Sequence, residues 1–155
     1  MATIDRLMPV PPQAVWDALA DADGYGYWVV GSKEIRDADA DWPEPGSRFH
    51  HTVGFGPLEV KDHTVSLAAD PPRLLRLRAK ARPLGTATVT LALAPEGTGT
   101  RVRMTETPDG ILATLLAGNP VADRLIAARN EKALQRLEQL ARDRASTARP
   151  SATGS

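Results

Sequence analysis

Cysteine is absent from this 155-residue chain, which excludes disulfides, thiolate metal sites and cysteine nucleophiles together. Net charge is absent too. Nineteen basic and nineteen acidic residues cancel, so no global field draws the protein to nucleic acid or to a membrane surface. No run approaches the roughly twenty apolar residues that span a bilayer, and "MATIDRLMPVPP" lacks the apolar stretch of a signal peptide. A soluble cytoplasmic protein is the expectation. Familiar catalytic motifs are also missing. "GYG" and "GFG" lack the flanks of a phosphate-binding glycine loop, no serine sits in a nucleophile elbow, and no His-Glu pair has metalloprotease spacing. No metal and no organic cofactor is expected.

What the chain does have is a clear change of period. "TIDRLMPV" reads as a first strand, ended by prolines at 9, 11 and 12. Pro12 suits the first turn of a short helix, "QAVWDALADA", with Val15, Trp16 and Leu19 on one face. "DGYGYW" interrupts that helix and gathers Tyr25, Tyr27 and Trp28. From there to residue 107 the period is two, broken at "DWPEPG", "GFGP", "DPPR", "RPLG" and "PEGTG". The segments between, about 31–39, 47–54, 58–69, 73–82, 86–94 and 100–107, read as six consecutive antiparallel strands. A long helix follows. Asn119 is its N-cap, Pro120 its first residue, and Ala122, Ile126, Ala133, Leu137 and Leu140 recur at helical spacing. Glu138 and Arg142 add a supportive i,i+4 pair. About 25 residues of helix would run some 37 Å, so it must lie across the whole sheet to bury its stripe. "ASTARPSATGS", residues 145–155, is small and polar and is expected to be a disordered tail, leaving a single domain over residues 1–144. Strand, helical hairpin, six strands and long helix make an α+β arrangement with the helices on one sheet face.

Alternation sorts the faces. Leu75, Leu77, Ala79 and Ala81 point inward, as do Ala87, Val89, Leu91 and Leu93, and then Val102, Met104 and Glu106. The small side chains at 79, 81 and 87 leave room for a cavity; a solid core with alternating large and small residues has the same spacing. Glu106 stands out, because a carboxyl group in an apolar setting must be paired, hydrogen-bonded or held neutral. Arg129 and Asn130, beside the inner stripe of the helix, could supply the partner or meet a polar group of a ligand.

All three histidines fall within residues 47–65. His50 and His51 are adjacent on a strand, so they leave opposite faces, with His51 inward. Two hairpin registers are open. In one, His63 is a diagonal inner-face neighbour of His51; in the other it pairs with His50 outside. Neither converges three ligands, so a catalytic zinc site is not expected. His51 alone could serve as hydrogen-bond partner or general base in a cavity. On the outer face Arg76, Arg78, Lys80, Arg82, Arg101 and Arg103 form a basic stripe without stacking aromatics, so nucleic acid is not the expected partner.

The order of these pieces resembles the START-like, or helix-grip, superfamily, specifically its bacterial polyketide cyclase/dehydrase and lipid-transport branch. "VPPQAVWDALAD", Trp28, "PEPGSRFHHTVGFGPLEVKD", "DPPRLLRLRAKARPLGTATVTLAL", "TRVRMTETP" and "RNEKALQRLEQLA" carry the likeness over residues 2–142. It implies a curved seven-stranded antiparallel sheet around the C-terminal helix, two short helices between strands 1 and 2, and an apolar cavity. Three functions then stand as expectations. The first is binding of a small hydrophobic lipid, polyketide or aromatic molecule. Tyr25, Tyr27, Trp28 and Trp42 would be its lid or rim and Phe49, Phe55, Leu77, Leu91 and Met104 its walls, with Arg129 and Asn130 as polar contacts. The second is a polyketide cyclase or dehydratase with His51 and Glu106 as acid–base groups. The third is a protein-interaction module using the basic sheet face.

Overall fold

The alternating segments form one antiparallel sheet in the computed structural model, which describes residues 2–30, 32–55, 57–82 and 85–148. Its strands are β1 (Ala2–Met8), β2 (Ser32–Ala38), β3 (Arg48–Phe55), β4 (Leu58–Asp70), β5 (Leu74–Ala81), β6 (Gly85–Glu96) and β7 (Gly99–Asp109). Hairpins join β2 through β7 in sequence order, and β1 closes the sheet against β7, giving the order β1-β7-β6-β5-β4-β3-β2. Each strand ends within two residues of where the breaks in alternation put it. One edge departs from the simple pattern. Irregularities between Ser32 and Glu34 and between Ile35 and Asp37 lengthen the β2 repeat, so Ser32, Ile35 and Ala38 are its less exposed positions.

Between β1 and β2 lie α1 (Pro12–Leu19), a single 3-10 turn (Ala22–Gly24) and α2 (Tyr25–Trp28). Pro12 opens α1, whose Val15, Trp16 and Leu19 are buried as their spacing predicts. After β7 comes a helix the sequence did not announce, α3 (Ile111–Leu116). Gly110 and Gly118 flank it at φ +74° and +70°, conformations that favour glycine. The last helix, α4 (Pro120–Ala148), is 29 residues long, about 43 Å. The Asn119 side chain caps it, accepting from the amides of Val121 at 3.0 Å and Ala122 at 3.2 Å. Residues 145–148, expected in the tail, continue this helix, and residues 149–155 lie outside the described set.

The core explains how α4 is held. Leu134, Leu137 and Ala141 are buried with Met8, Val15, Leu19, Leu75, Leu91 and Val102. Each fully buried leucine contributes about 2 kcal/mol. Glu138 adds a tie to β1 through Arg6 at 3.0 Å. The first half of α4 is different: Ala122 and Ile126, in phase with the buried stripe, are only half-buried, and Val121 and Leu125 on the outer side are 60% and 67% exposed. The helix is therefore docked by its second half. No helix among the described residues is long and apolar enough to cross a membrane.

Candidate functional site

The inner face of the sheet changes character along its length. Leu75, Leu77, Leu91, Leu93, Val102 and Met104 are sealed beneath the helices. Further along β5 and β6, Ala79, Ala81, Ala87 and Val89 are only half-buried. Ala79 stands opposite Ala87, and Ala81 opposite Gly85, so small side chains face small side chains. The result is an apolar floor that no large side chain of these strands fills.

A polar cluster borders this floor on the β7 side. Glu106 is buried, and both of its carboxylate oxygens accept from Arg129 Nη2, at 2.5 and 2.7 Å. Asn130 Nδ2, also buried, donates to the same carboxylate at 2.9 Å. The inward carboxyl thus finds its partners on α4, as the sequence required. The Arg129 side chain remains 43% exposed, so the cluster reaches from the interior to solvent.

A second cluster borders the floor on the β3 side. The register places His50 opposite His63, with ring centroids 5.8 Å apart on the outer face. His51 is therefore opposite Asp62 on the inner face. Asp62 is buried and holds Arg82 by three bonds, from the guanidinium at 3.0 and 3.1 Å and from the amide at 2.9 Å. The His63 amide donates to it at 2.9 Å. Burial alone would raise the Asp62 pKa; the bonds from Arg82 and the His63 amide outweigh it and hold the carboxyl well below the usual carboxylate range. His51 is 5% exposed and its Nε2 has no partner among the described residues. Burial pushes the His51 pKa down, against a hydrogen bond with the His63 backbone and the field of Asp62, so the ring is neutral at neutral pH.

His51 and Glu106 border the floor from opposite sides, on β3 and β7. β3 and β7 are four strand spacings apart, about 19 Å along the sheet surface. Among the described residues, no group of three or more His, Cys, Asp or Glu side chains is placed to hold a metal ion.

A sheet that wraps a docked C-terminal helix, with two short helices between its first strands, can be compared with known proteins. The family described as polyketide cyclase/dehydrase and lipid transport matches residues 2–142. The chain belongs to this family. No curated protein matches it. A structure from Thermus thermophilus is 21% identical, with 96% of this chain and 99% of that chain covered and a TM-score of 0.67. One from Nitrosomonas europaea is 19% identical, with coverage of 91% and 93% and a TM-score of 0.65. Ara h 8.0201 is 13% identical, with coverage of 93% and 96% and a TM-score of 0.67. At these identities the likeness is one of fold.

In this polyketide cyclase/dehydrase and lipid-transport family member, three of the four aromatics expected at a rim, and Phe49 expected in a wall, lie in the core. Tyr25, Trp28, Trp42 and Phe49 pack together in the core, with Tyr25 centroids 4.8, 5.6 and 4.7 Å from Trp28, Trp42 and Phe49. The Tyr25 hydroxyl and the Trp42 indole N–H both donate to the Leu19 carbonyl, at 2.9 and 3.2 Å. These anchors hold α1 and α2 to the sheet, so a buried brace replaces the expected lid. Tyr27 is the exception, at 48% exposure, with the Arg136 guanidinium 5.9 Å from its ring centroid. The Phe55 side chain lies outside the described set. Sequence reasoning missed Asp62 as a site residue, because its inward face follows only from the observed register.

The basic stripe is largely matched by acids. Arg78 pairs with Asp109 at 3.1 Å, Arg101 with Glu96 at 2.8 Å and Arg103 with Asp5 at 2.8 Å. Arg82 turns away from the stripe to Asp62. Arg76 and Lys80 have no carboxylate partner among the described residues. Outside the concave face, an open depression of about 740 Å³ lies between α1 and the end of α4, lined by Asp17, Asp21, Leu140 and Arg144 among others. An Asp21–Arg144 ion pair bridges it.

Proposed function

We propose that this protein binds a small hydrophobic molecule in the hollow between the sheet and the first half of α4. One observation carries the reading: Ala79, Ala81 and Ala87 stay half-buried although they continue, in phase, the rows of the sealed Leu75, Leu77 and Leu91. Apolar surface left open in a concave setting gains free energy from an apolar occupant, at about 25 cal/mol per Å² covered. Ala79, Ala81 and Ala87 form the floor of the hollow with Val89 beside them, and the sealed Leu77, Leu91 and Met104 close its inner end. Glu106, Asn130 and Arg129 border it on one side, and His51 with Asp62 on the other. An apolar ligand with polar groups near its ends fits this distribution.

Filling the floor tests the reading. The fluorescence of 1-anilinonaphthalene-8-sulfonate should rise on addition of wild-type protein and fall to near background with Ala87→Phe, whose circular dichroism should match wild type. Undiminished enhancement by a folded Ala87→Phe would place the dye elsewhere and sink the proposal. Native mass spectrometry of freshly prepared protein would then identify a retained molecule.

A second reading, cyclisation or dehydration of a poly-β-ketone, draws support from the neutral His51 ring with its unpartnered Nε2, which could accept a proton. Arg129 and Asn130 already occupy the oxygens of Glu106, which leaves His51 as the acid–base group of this reading. Turnover of such a substrate that survives Glu106→Gln but not His51→Phe would favour this reading over simple binding.

A further inference from the structure

Trp28 Nε1, Ser32 Oγ, His51 Nε2 and Thr52 Oγ1 are buried without a hydrogen-bond partner among the described residues. Thr52 alternates with His51 and faces the convex side. The other three belong to one corner of the concave side. Trp28 ends α2, and Ser32 begins β2 four residues later. Ser32 stands opposite Val53 and Ile35 opposite His51 on the neighbouring strand. Here α2 lies against β2, since a Cβ on Gly26 would stand 3.5 Å from Ile35 Cγ1. Ring contacts join the two ends of the corner: centroids are 4.8 Å apart for Trp28 and Tyr25, 4.7 Å for Tyr25 and Phe49, and 5.8 Å for Phe49 and His51. Native interiors leave few polar atoms unpaired, and three in one corner need an explanation.

We infer that this corner takes a neutral hydroxyl carried by the hydrophobic molecule in the hollow; the inference rests on the binding reading above. The donor and acceptor inventory selects the oxygen. An indole N–H can only donate, so the occupant must accept. The other His51 nitrogen gives its proton to the His63 backbone, so Nε2 can only accept; a hydroxyl, which accepts from the indole and donates to the imidazole, meets both needs, and the Ser32 hydroxyl can take either part. An anionic group fits poorly. The cations nearby are committed, Arg82 to the Asp62 carboxylate and Arg36 to the carbonyls of His51 and Asp62 at 3.3 and 3.2 Å. Asp62, opposite His51, would repel a second negative charge. Burial keeps the His51 ring neutral, consistent with a neutral guest.

Three probes of one shape separate the possibilities: 2-naphthol, 2-methylnaphthalene and 2-naphthoate, titrated into ¹⁵N-labelled full-length protein and followed by NMR. The measured quantity is the affinity of 2-naphthol relative to 2-methylnaphthalene. That ratio should fall about tenfold in Ser32→Ala and in His51→Phe, the size expected when one buried hydrogen bond is lost. In wild type the Trp28 indole N–H signal should move farther downfield with 2-naphthol than with 2-methylnaphthalene, while that of Trp42, already bonded to Leu19, shows no such difference. Ser32→Ala removes one oxygen atom, so it keeps the test sound if His51→Phe does not fold. An unchanged ratio with a Trp28 signal no farther downfield for 2-naphthol than for 2-methylnaphthalene would overturn the inference and leave the corner to ordered water, with the hollow intact. Tighter binding of 2-naphthoate than of 2-naphthol would overturn it in favour of an anion site. Failure of all three probes to bind would sink the binding reading itself.

Discussion

Asp62 and His51 face each other on the inner surface of β3 and β4, and acid should weaken the protein through both, in separate pH windows. For Asp62 the folded pKa lies below the unfolded value of 3.8, so its stabilisation is complete above that range and is lost as pH falls through the lower folded value. Asp62→Asn is expected to cost about 2 kcal/mol in urea denaturation at neutral pH, with the gap to wild type closing in strong acid. For His51 the folded pKa is depressed below 6.5, so the unfolded chain takes up a proton that the folded ring resists. Stability from the neutral ring is present above that value and declines as pH drops through it. Thermal midpoints of His51→Phe measured between about pH 5 and 7 should therefore change less than those of wild type. A parallel decline in both would show that His51 is not the titrating group.

At the scale of elements, α4 behaves as two halves. Its second half carries Leu134 and Leu137, both buried, together with the Glu138–Arg6 tie to β1. Its first half exposes Val121 and Leu125 and meets the sheet chiefly through Arg129 and Asn130 on Glu106. Leu137→Ala should lower stability by about 3 kcal/mol, near 9 °C in Tm for a domain of this size, whereas Ile126→Ala, on the same stripe but only half-buried, should cost about 1 kcal/mol. Equal losses from the two substitutions would mean that the helix is docked along its whole length. The same division explains what was legible in the sequence. The strands, the cap at Asn119 and the inward phase of Glu106 follow from local alternation and spacing. By contrast, α3 is six residues of "ILATLL", too short for a helical period to stand out, and its bounding glycines read equally well as turns. The strand irregularities around Ser32 likewise break the alternation that would have marked Ser32 as inward.

For the molecule as a whole, charge and shape point in one direction. The convex stripe carries six cations in the sequence, yet Arg78, Arg82, Arg101 and Arg103 each hold a carboxylate. Little positive potential is left for a polyanion, so retention on heparin at about 0.15 M salt is expected to be negligible, where exposed charges more than roughly 8 Å apart are screened. Retention abolished by Arg76→Glu with Lys80→Glu would instead support the interaction-module reading. The concave side has the opposite property. Ala79, Ala81 and Ala87 on it are uncharged and only half-buried, and the polar clusters on either side are held by ion pairs of their own.

Composition and period determined the class of this protein: seven strands and a capped helix with one apolar stripe must bury that stripe against one apolar sheet face, because neither can leave it in water. The same local rules made His51 and Glu106 inward residues. Which inward residues meet was decided by tertiary structure. Register made Asp62 the neighbour of His51 and sent His63 outside, and the docking of α4 by its second half matched Arg129 and Asn130 to Glu106. Alternation fixes only the face of a residue, whereas its neighbours depend on strand pairing and helix placement over the whole chain.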